Sequence, residues 1–196
     1  MGSPLSTRLT QGMPAPNFTK LTHDGKKISL EDFRGQKVWL CLYRYATCPL
    51  CNLHLAEVRA NAAEIKAAGA QVLAVFESPA ESFAHFSRGE TQDLPPLIPD
   101  PHKELYRVFG AERSFWAMLK PQVAMFWIRA QLKGYFQKKV EGELLQVPAQ
   151  FLIREDGVLH TAFYGEHIGD HIPWWRVRRF LAEESVKDWK ARIAVR

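Results

Sequence analysis

The stretch RYATCPLCNLHLAEV, residues 44–58, contains two of the three cysteines in this 196-residue chain. Cys48 and Cys51 stand three positions apart, and a proline follows the first of them directly. A pair with this spacing can be a metal clip, a structural disulfide or a reacting dithiol. The sequence on either side of the pair helps to distinguish these three uses.

The pair lies between a predicted strand and a predicted helix. Residues 37–45, KVWLCLYRY, are β-forming residues with little polar alternation, which is typical of a strand buried on both faces. Cys41 lies inside this run, and we interpret it as a small core residue. After the pair, apolar residues recur at helical spacing as far as Ile65, and Pro49 suits the first helical position.

The rest of the chain continues to alternate strands with helices, as expected for a layered α/β fold. A CxxC between a strand and its helix is a thioredoxin-like signature in such a pattern. We therefore predict one thioredoxin-like domain: a central mixed β-sheet flanked by helices, with an N-terminal β extension and a helical insertion before the last hairpin. The predicted parts are 13–110 with the CxxC, the insertion 111–146, and 147–196 with the closing hairpin and a final helix from about Ile172 to Arg192, capped by Asp170.

The predicted strand–helix junction makes a reacting dithiol the leading interpretation. Unpaired N–H groups and the helix dipole at a helix N-terminus stabilise an anion, so Cys48 is expected to ionise easily and to act as the nucleophile. Cys51 lies one turn further on and can close a short disulfide with Cys48. A zinc site would need four ligands, and the sequence offers only His54 and some distant histidine beside the pair. An inert pair of core cysteines is the remaining alternative.

Two later segments are expected near the pair. Pro148, immediately before the FLIRE strand, would be a cis proline facing the CxxC in a thioredoxin-like fold, although an ordinary proline at a strand entry has the same sequence. The last strand should return to the CxxC end of the sheet, where His167 and His171 could shuttle protons or hold a thiolate. In the alternative interpretation, both histidines are solvated.

Composition narrows the function further. The net charge of +5 is modest and spread out, and no nucleic-acid-binding motif accompanies it, so we expect no nucleic-acid partner. No apolar run is long enough to span a membrane, and the N-terminus has no apolar signal-peptide region. Three cysteines are too few for a secreted disulfide framework, so we expect a cytoplasmic protein. No phosphate-cradling glycine motif is present, and no cofactor is expected.

The chain resembles the peroxiredoxins of the alkyl hydroperoxide reductase and thiol-specific antioxidant family from Met13 to about Leu181. In this resemblance Cys48 takes the position of the family's peroxide-reacting cysteine. The CPxCN motif, the helical insertion and the YGEHIGDH ending are similar to a divergent peroxiredoxin-like subgroup. The segments that carry the resemblance are MPAPNFTKLTHDGKKISLEDFRGQKVWL, CPLCNLHL, LPPLIPDPHKELYRVFG and VPAQFLIREDGVLHTAFYG.

The resemblance also has clear departures. The family's Pro-x-x-x-Thr-x-x-Cys pattern would place proline at Cys41 and threonine at Tyr45, whereas here Thr47 directly precedes Cys48. The family's arginine before the FLI-type strand is replaced by Pro148. The candidates to supply the missing peroxide-activating groups are Arg44, Thr47 and the Tyr45 hydroxyl.

Three functions follow as hypotheses. The first is a peroxidase in which Cys48 is oxidised, Cys51 resolves it, and a thioredoxin- or glutathione-type donor restores the dithiol. The second is a thiol–disulfide oxidoreductase that uses the same pair beside Pro148. The third is an interaction module, because an aromatic segment at 114–140 could form a homodimer interface, or could instead cover the core. Its large apolar residues are Phe115, Trp116, Met118, Met125, Phe126, Trp127, Tyr135 and Phe136.

Overall fold

The structure is a computed structural model, and it describes residues 8–83, 94–111, 121–136, 142–143 and 145–185. The beginning of the aromatic segment, its last residues and the final part of the predicted C-terminal helix lie outside the described residues. The predicted boundaries of the insertion therefore stay predictions.

The secondary structure alternates much as the sequence predicts. The strands are β1 (Thr19–Leu21), β2 (Lys27–Ser29), β3 (Lys37–Leu42), β4 (Ala70–Phe76), β5 (Leu97–Pro99), β6 (Ala149–Ile153) and β7 (Leu159–Tyr164). The helices are α1 (Pro49–Ala60), α2 (Ala62–Ala67), α3 (Glu104–Val108), α4 (Pro121–Leu132) and α5 (Trp174–Ala182), with a short 3-10 turn at Leu30–Phe33.

The central sheet is mixed and has the strand order β5-β4-β3-β6-β7. Strand β3 pairs in parallel with β4, which pairs in parallel with β5, whereas β6 and β7 join on the other side as an antiparallel hairpin. The carboxyl ends of β3 and β4 thus meet at the same edge of the sheet. The chain segments that leave this edge after Leu42 and Phe76 build the site described below. The mixed sheet and its flanking helices confirm the predicted thioredoxin-like fold.

Every residue of β3 is buried, as expected for a central strand with cover on both faces. Successive side chains of a strand point to opposite faces, so β3 supplies two hydrophobic clusters. Trp39 and Cys41 face a cluster that includes Cys48, Cys51 and the apolar side of α5. Leu40 and Leu42 face the other cluster, which is closed by α3 and the N-terminal β extension.

The N-terminal extension is an antiparallel pair, β1 with β2, and confirms the predicted N-terminal β extension. The Ser29 N–H donates to Asp32 Oδ2 at 2.7 Å, which satisfies a donor at the start of the short helical turn. At the end of the α1–α2 region, Gly69 has a φ of +65° and ends the helix in the left-handed conformation.

One short strand is not predicted by the sequence, and the predicted final helix differs from the structure in two details. Strand β5 is only three residues long, which gives no periodicity to recognise. Asp170 does not cap the final helix, because its carboxylate accepts the Glu166 N–H at 2.7 Å and Pro173 occupies the N-cap position. That helix ends at Ala182, before the predicted end at Arg192.

Helix α4 gives the aromatic insertion two different faces. Pro121 is the first described residue of this helix. Phe126, Trp127 and Tyr135 pack against the cluster that contains the cysteines, so part of the segment does cover the core. Other large apolar side chains of this segment are exposed to solvent, namely Met125, Ile128, Leu132 and Phe136. Within the described part of the chain, no helix is long and apolar enough to cross a membrane.

Candidate active site

The turn at residues 45–48 places Cys48 at the edge of the sheet where β3 ends. The Cys48 N–H donates to the Tyr45 carbonyl at 3.0 Å, and the Ala46 N–H donates to Ser78 Oγ at 2.9 Å. The Asn52 side-chain amide donates to the carbonyls of Ala46 and Cys48, at 2.8 and 2.9 Å. These bonds fix the turn from both sides, so the position of the Cys48 sulfur is well defined.

Helix α1 begins directly after this turn, with Cys48 as its N-cap residue and Pro49 in its first turn. The missing N–H of a proline costs nothing at this position, because the first N–H groups of a helix have no intrahelical partner. The next backbone N–H groups, those of Leu50 and Cys51, help to lower the pKa of the Cys48 thiol. The helix starts where the sequence predicts, and Cys48 lies at its N-terminus as expected.

Arg44 supplies the positive charge of the site. Its Nη1 donates to Cys48 Sγ at 3.6 Å, and its guanidinium lies 5.1 Å from the centre of the Tyr45 ring. The Arg44 side chain is buried, with only 1% of its surface exposed, so water screens its charge poorly. Thr47, half-buried, precedes the cysteine in the same turn.

Two opposing effects set the pKa of Cys48. The sulfur is completely buried, and burial is the largest effect, which raises the pKa because it disfavours the thiolate. The hydrogen bond from the Cys51 thiol, the charge of Arg44 and the neighbouring N–H groups together outweigh burial and lower the pKa of Cys48 to about 6. Cys48 is therefore largely a thiolate at neutral pH.

Cys51 is the complementary thiol. Burial raises its pKa well above the ordinary value, and the adjacent Cys48 thiolate raises it further. Both thiols are reduced in the structure. Residues three apart on a helix have Cβ atoms roughly 5–6 Å apart, so a small adjustment of the first turn brings them within disulfide range. The structure thus pairs an ionised thiol with a neutral one.

His171 and His54 form a stacked pair with ring centroids 4.0 Å apart. His171 Nδ1 lies 2.9 Å from Gln150 Nε2, and His54 Nδ1 lies 2.7 Å from the Tyr43 hydroxyl. Burial lowers the pKa of His54 to about 3, and burial together with the neighbouring histidines lowers the pKa of His171 well below its ordinary value. Both rings are therefore neutral at physiological pH and supply no positive charge to a thiolate.

His167, the other candidate histidine, packs beside α4. Its ring lies 5.5 Å from that of Phe126, and its Nδ1 accepts the Gly169 N–H at 3.3 Å. Within the described residues, no group of three or more His, Cys, Asp or Glu side chains is arranged to hold a metal ion.

Pro148 lies at the edge of the sheet that carries the cysteines, but its peptide bond is not cis. The pairing of Leu42 with Ala149 places Pro148 just beyond the carboxyl end of β3, and the neighbouring Val147 packs in the cysteine cluster. The described residues contain no cis peptide bond, so the cis prediction is wrong. Trans is the default geometry for an X–Pro bond, and the Pro148 carbonyl here accepts the Gly165 N–H at 2.9 Å.

Sequence reasoning missed several groups around the turn. Asn52 belongs to the CPxCN motif, but its bridging role depends on a turn geometry that no spacing rule predicts. Ser78 and Glu77 follow β4, and the parallel pairing of β4 with β3 brings them beside the turn. Glu77 carries a buried carboxylate whose Oε2 lies 3.1 Å from Lys103 Nζ. The sequence did contain one sign of these groups: the buried strand β4 is followed directly by two polar residues, Glu77 and Ser78.

Comparison with known proteins identifies the relatives of this chain. The model of the AhpC/TSA family matches residues 11–162. A Mycobacterium tuberculosis protein whose name assigns it provisionally to the peroxiredoxins is 29% identical over 179 residues, which cover 90% of this chain and 98% of the relative. The peroxiredoxin Bcp of Escherichia coli K12 is 33% identical over 109 residues, which cover 55% of this chain and 69% of Bcp.

Solved structures show the same fold at low sequence identity. The peroxidoxin BcpB from Mycobacterium tuberculosis superposes with a TM-score of 0.63 at 17% identity, and the match covers 89% of this chain and 97% of BcpB. A structure assigned to the thiol:disulfide interchange protein DsbE from Chlorobium tepidum gives 0.59 at 18% identity, covering 89% and 99%. At these identities the two structures support the fold alone.

Proposed function

Because this chain belongs to the AhpC/TSA family, we propose that it is a thiol-dependent peroxidase in which Cys48 reduces a hydroperoxide and Cys51 resolves the product. The observation that carries this proposal is the contact of Cys48 Sγ with Arg44 Nη1 at 3.6 Å, at the N-terminus of α1. A thiolate beside a buried cation is a nucleophile that also has a positive charge next to the oxygen atoms of a bound peroxide.

The chemistry proceeds in two steps on the protein. The Cys48 thiolate attacks one peroxide oxygen, the O–O bond breaks, and the other oxygen leaves as an alcohol or water after taking up a proton. Cys48 is then a sulfenic acid. The Cys51 sulfur displaces its oxygen as water, which forms the Cys48–Cys51 disulfide, and two thiols of an external donor reduce that disulfide.

Arg44 is the candidate substitute for the family arginine that Pro148 replaces. A positive charge near the leaving oxygen stabilises the negative charge that develops as the O–O bond breaks. Arg44 follows β3 and already contacts the Cys48 sulfur, so the site has a positive charge without an arginine before β6. Thr47 and the Tyr45 hydroxyl stay candidates for hydrogen bonds to the second oxygen.

The second candidate function is thiol–disulfide exchange, which the CxxC itself favours. The complete burial of Cys48 Sγ argues for a small substrate, because a protein disulfide must bring its own sulfur into line with the attacking thiolate. A small hydroperoxide can reach the buried Cys48 sulfur after a much smaller opening of the turn at 45–48. The burial of the nucleophile therefore ranks peroxide reduction above disulfide exchange.

The first experiment measures how fast the reduced protein reacts with hydrogen peroxide, by stopped-flow tryptophan fluorescence. Trp39 is a suitable reporter, because it lies on β3 with its ring 5.7 Å from that of His54 on α1. We expect a rate several orders of magnitude above that of a free thiol. The rate should fall below pH about 6, where Cys48 takes up a proton, and level off above it. A rate equal to that of a free thiol, together with rapid reduction of insulin disulfides, would make disulfide exchange the function instead.

The proposed electron donor is a thioredoxin- or glutathione-type thiol, and the proposed location is the cytoplasm. A reducing compartment supplies both kinds of donor and keeps Cys48 in the thiol state between turnovers. Steady-state peroxide consumption with each donor in turn identifies the physiological class of reductant.

We also propose a homodimer that uses the exposed apolar residues of the aromatic segment. Ile128 and Leu132 expose 62% and 84% of their surface on one helix, whereas core-facing residues of the same helix are half-buried or buried. The double variant Ile128→Glu/Leu132→Glu should shift a dimer to a monomer in light scattering coupled to size-exclusion chromatography, because charges in an apolar interface lose their hydration. A Lys133→Glu control changes an exposed charged residue of the same turn. A wild-type monomer at high concentration would contradict the proposal.

A further inference from the structure

Glu77 is a buried carboxylate at the edge of the site that the proposed reaction does not use. It follows β4 directly, and its N–H donates to the Arg44 carbonyl at 2.9 Å, so its backbone is tied to the residue that carries the site's positive charge. Only 3% of Glu77 is exposed. A carboxylate this deeply buried is costly unless its surroundings compensate for the lost hydration.

The compensation comes from Lys103 and from the segment at 142–143. Glu77 Oε2 lies 3.1 Å from Lys103 Nζ and accepts the Glu143 N–H at 2.8 Å. A side chain at Gly142 would bring a Cβ within 3.0 Å of the same carboxylate oxygen and within 3.2 Å of Tyr45 Cβ. The absence of a side chain at Gly142 therefore lets this segment cover the carboxylate.

The backbone at Lys103 indicates that this contact is maintained against strain. Lys103 has a φ of 55° and a ψ of 35°, and within the described residues it is the one non-glycine residue with a positive φ. A left-handed lysine costs conformational energy, and such residues persist where the surrounding structure holds them. Here the Lys103 amine reaches Glu77 and also Gln146 Oε1, at 3.3 Å.

The Glu77 carboxylate and the Cys48 thiolate both act electrostatically on Arg44, whose guanidinium contacts Cys48 Sγ. Burial raises the pKa of Glu77, whereas the Glu143 N–H, Lys103 and Arg44 oppose that rise. In turn, the charges of Cys48 and Glu77 are among those that raise the pKa of Arg44. The Glu77 Oε1 atom has no hydrogen-bond partner in the described part of the chain, so half of this carboxylate is uncompensated by a direct contact.

We propose that Glu77 and Lys103 are a positioning pair that sets, through Arg44, what fraction of Cys48 is thiolate at neutral pH. The negative charge of Glu77 offsets part of the field of Arg44, and the positive charge of Lys103 limits that offset. The reactivity of Cys48 is thereby held at an intermediate value. The charged groups that act on Glu77 are Arg44 and Lys103, together with the backbone N–H of Glu143, and Glu77 in turn acts on the Tyr106 hydroxyl.

The two members of the pair should shift Cys48 in opposite directions. Glu77→Gln keeps the shape but removes the negative charge, so the pH midpoint of Cys48 ionisation should fall by ~0.5–1 unit, less than the roughly 1–3 units that a directly contacting charge produces. Lys103→Met should raise the midpoint by a similar amount. The double variant should return to the wild-type midpoint, and Lys103→Arg should retain it.

The measurement is the ultraviolet absorbance of the Cys48 thiolate as a function of pH. Burial raises the pKa values of Cys41 and Cys51, so neither interferes near neutral pH. The matched control is Glu64→Gln, which removes an exposed carboxylate 2.7 Å from Arg178 and should leave the midpoint unchanged.

Opposite shifts that cancel in the double variant would support the proposal. Shifts of the same sign, or no shift in either single variant, would overturn it and assign the pair a structural role alone. If Glu77→Gln does not fold, Lys103→Met and Lys103→Arg decide, because they differ in whether a positive charge faces Glu77 and the Lys103 side chain is 20% exposed; a midpoint raised in Lys103→Met alone supports the proposal, and equal midpoints overturn it. This role of Glu77 and Lys103 rests on Cys48 being the nucleophile of the proposed peroxidase. The titration measures ionisation of Cys48 without peroxide, so its failure is distinguishable from a failure of Cys48 to react with peroxide.

Discussion

Cys48→Ser is expected to reduce peroxide turnover by at least ~10³-fold, to the rate of the reductant alone. A serine hydroxyl is not ionised near neutral pH, and its oxygen cannot accept the peroxide oxygen as sulfur does. The helix N-terminus and Arg44 would stay in place but would have no thiolate to stabilise. The measurement is steady-state consumption of hydrogen peroxide with a thioredoxin-type or glutathione-type donor.

The control for this prediction is Cys41→Ala. Cys41 is completely buried within β3, and burial raises its pKa, so it stays a thiol and takes no part in the reaction. The variant should turn over peroxide close to the wild-type rate. If peroxide consumption survives in Cys48→Ser but disappears in Cys41→Ala, the reacting cysteine is Cys41 and the proposed scheme is refuted.

The part of the site that the sequence predicts is contiguous in the chain. A buried strand, a short turn and a helix that begins after a proline are all local features, so residues 37–60 already place Cys48 at a helix N-terminus and Cys51 one turn away. Arg44 belongs to the same stretch and could be nominated as a charge donor. Local periodicity and helix-terminus electrostatics were sufficient for these inferences.

The part that the sequence does not predict depends on pairing between distant segments. Glu77 reaches the site because β4 pairs in parallel with β3, and Lys103 reaches it from the turn before α3. Neither residue belongs to a recognisable motif. The trans geometry at Pro148 could not be predicted either, because a cis and a trans X–Pro bond have the same sequence. The two forms differ in free energy by only ~0.5–1 kcal/mol in an unconstrained chain.

Cys51→Ser is expected to preserve the first oxidation but to stop turnover. A serine hydroxyl can still donate a hydrogen bond to the Cys48 thiolate, as the Cys51 thiol does, so the nucleophile should stay ionised and react with peroxide at nearly the wild-type rate. No second thiol is then available inside the protein to expel water from the sulfenic acid. The measurement is one stoichiometric burst of peroxide loss, followed by trapping of the sulfenic acid with dimedone and mass spectrometry.

Cys51→Ala separates the two roles of Cys51. Alanine removes the hydrogen bond as well as the resolving thiol, so the pKa of Cys48 should rise and the first oxidation should slow near neutral pH, whereas Cys51→Ser retains its speed. With excess peroxide, both variants should advance to the sulfinic acid, because nothing inside the protein competes for the sulfenic acid. Sustained turnover of Cys51→Ser with a glutathione-type donor would instead show that an external thiol attacks the sulfenic acid directly. In that case Cys51 would serve mainly to hold Cys48 in its thiolate form.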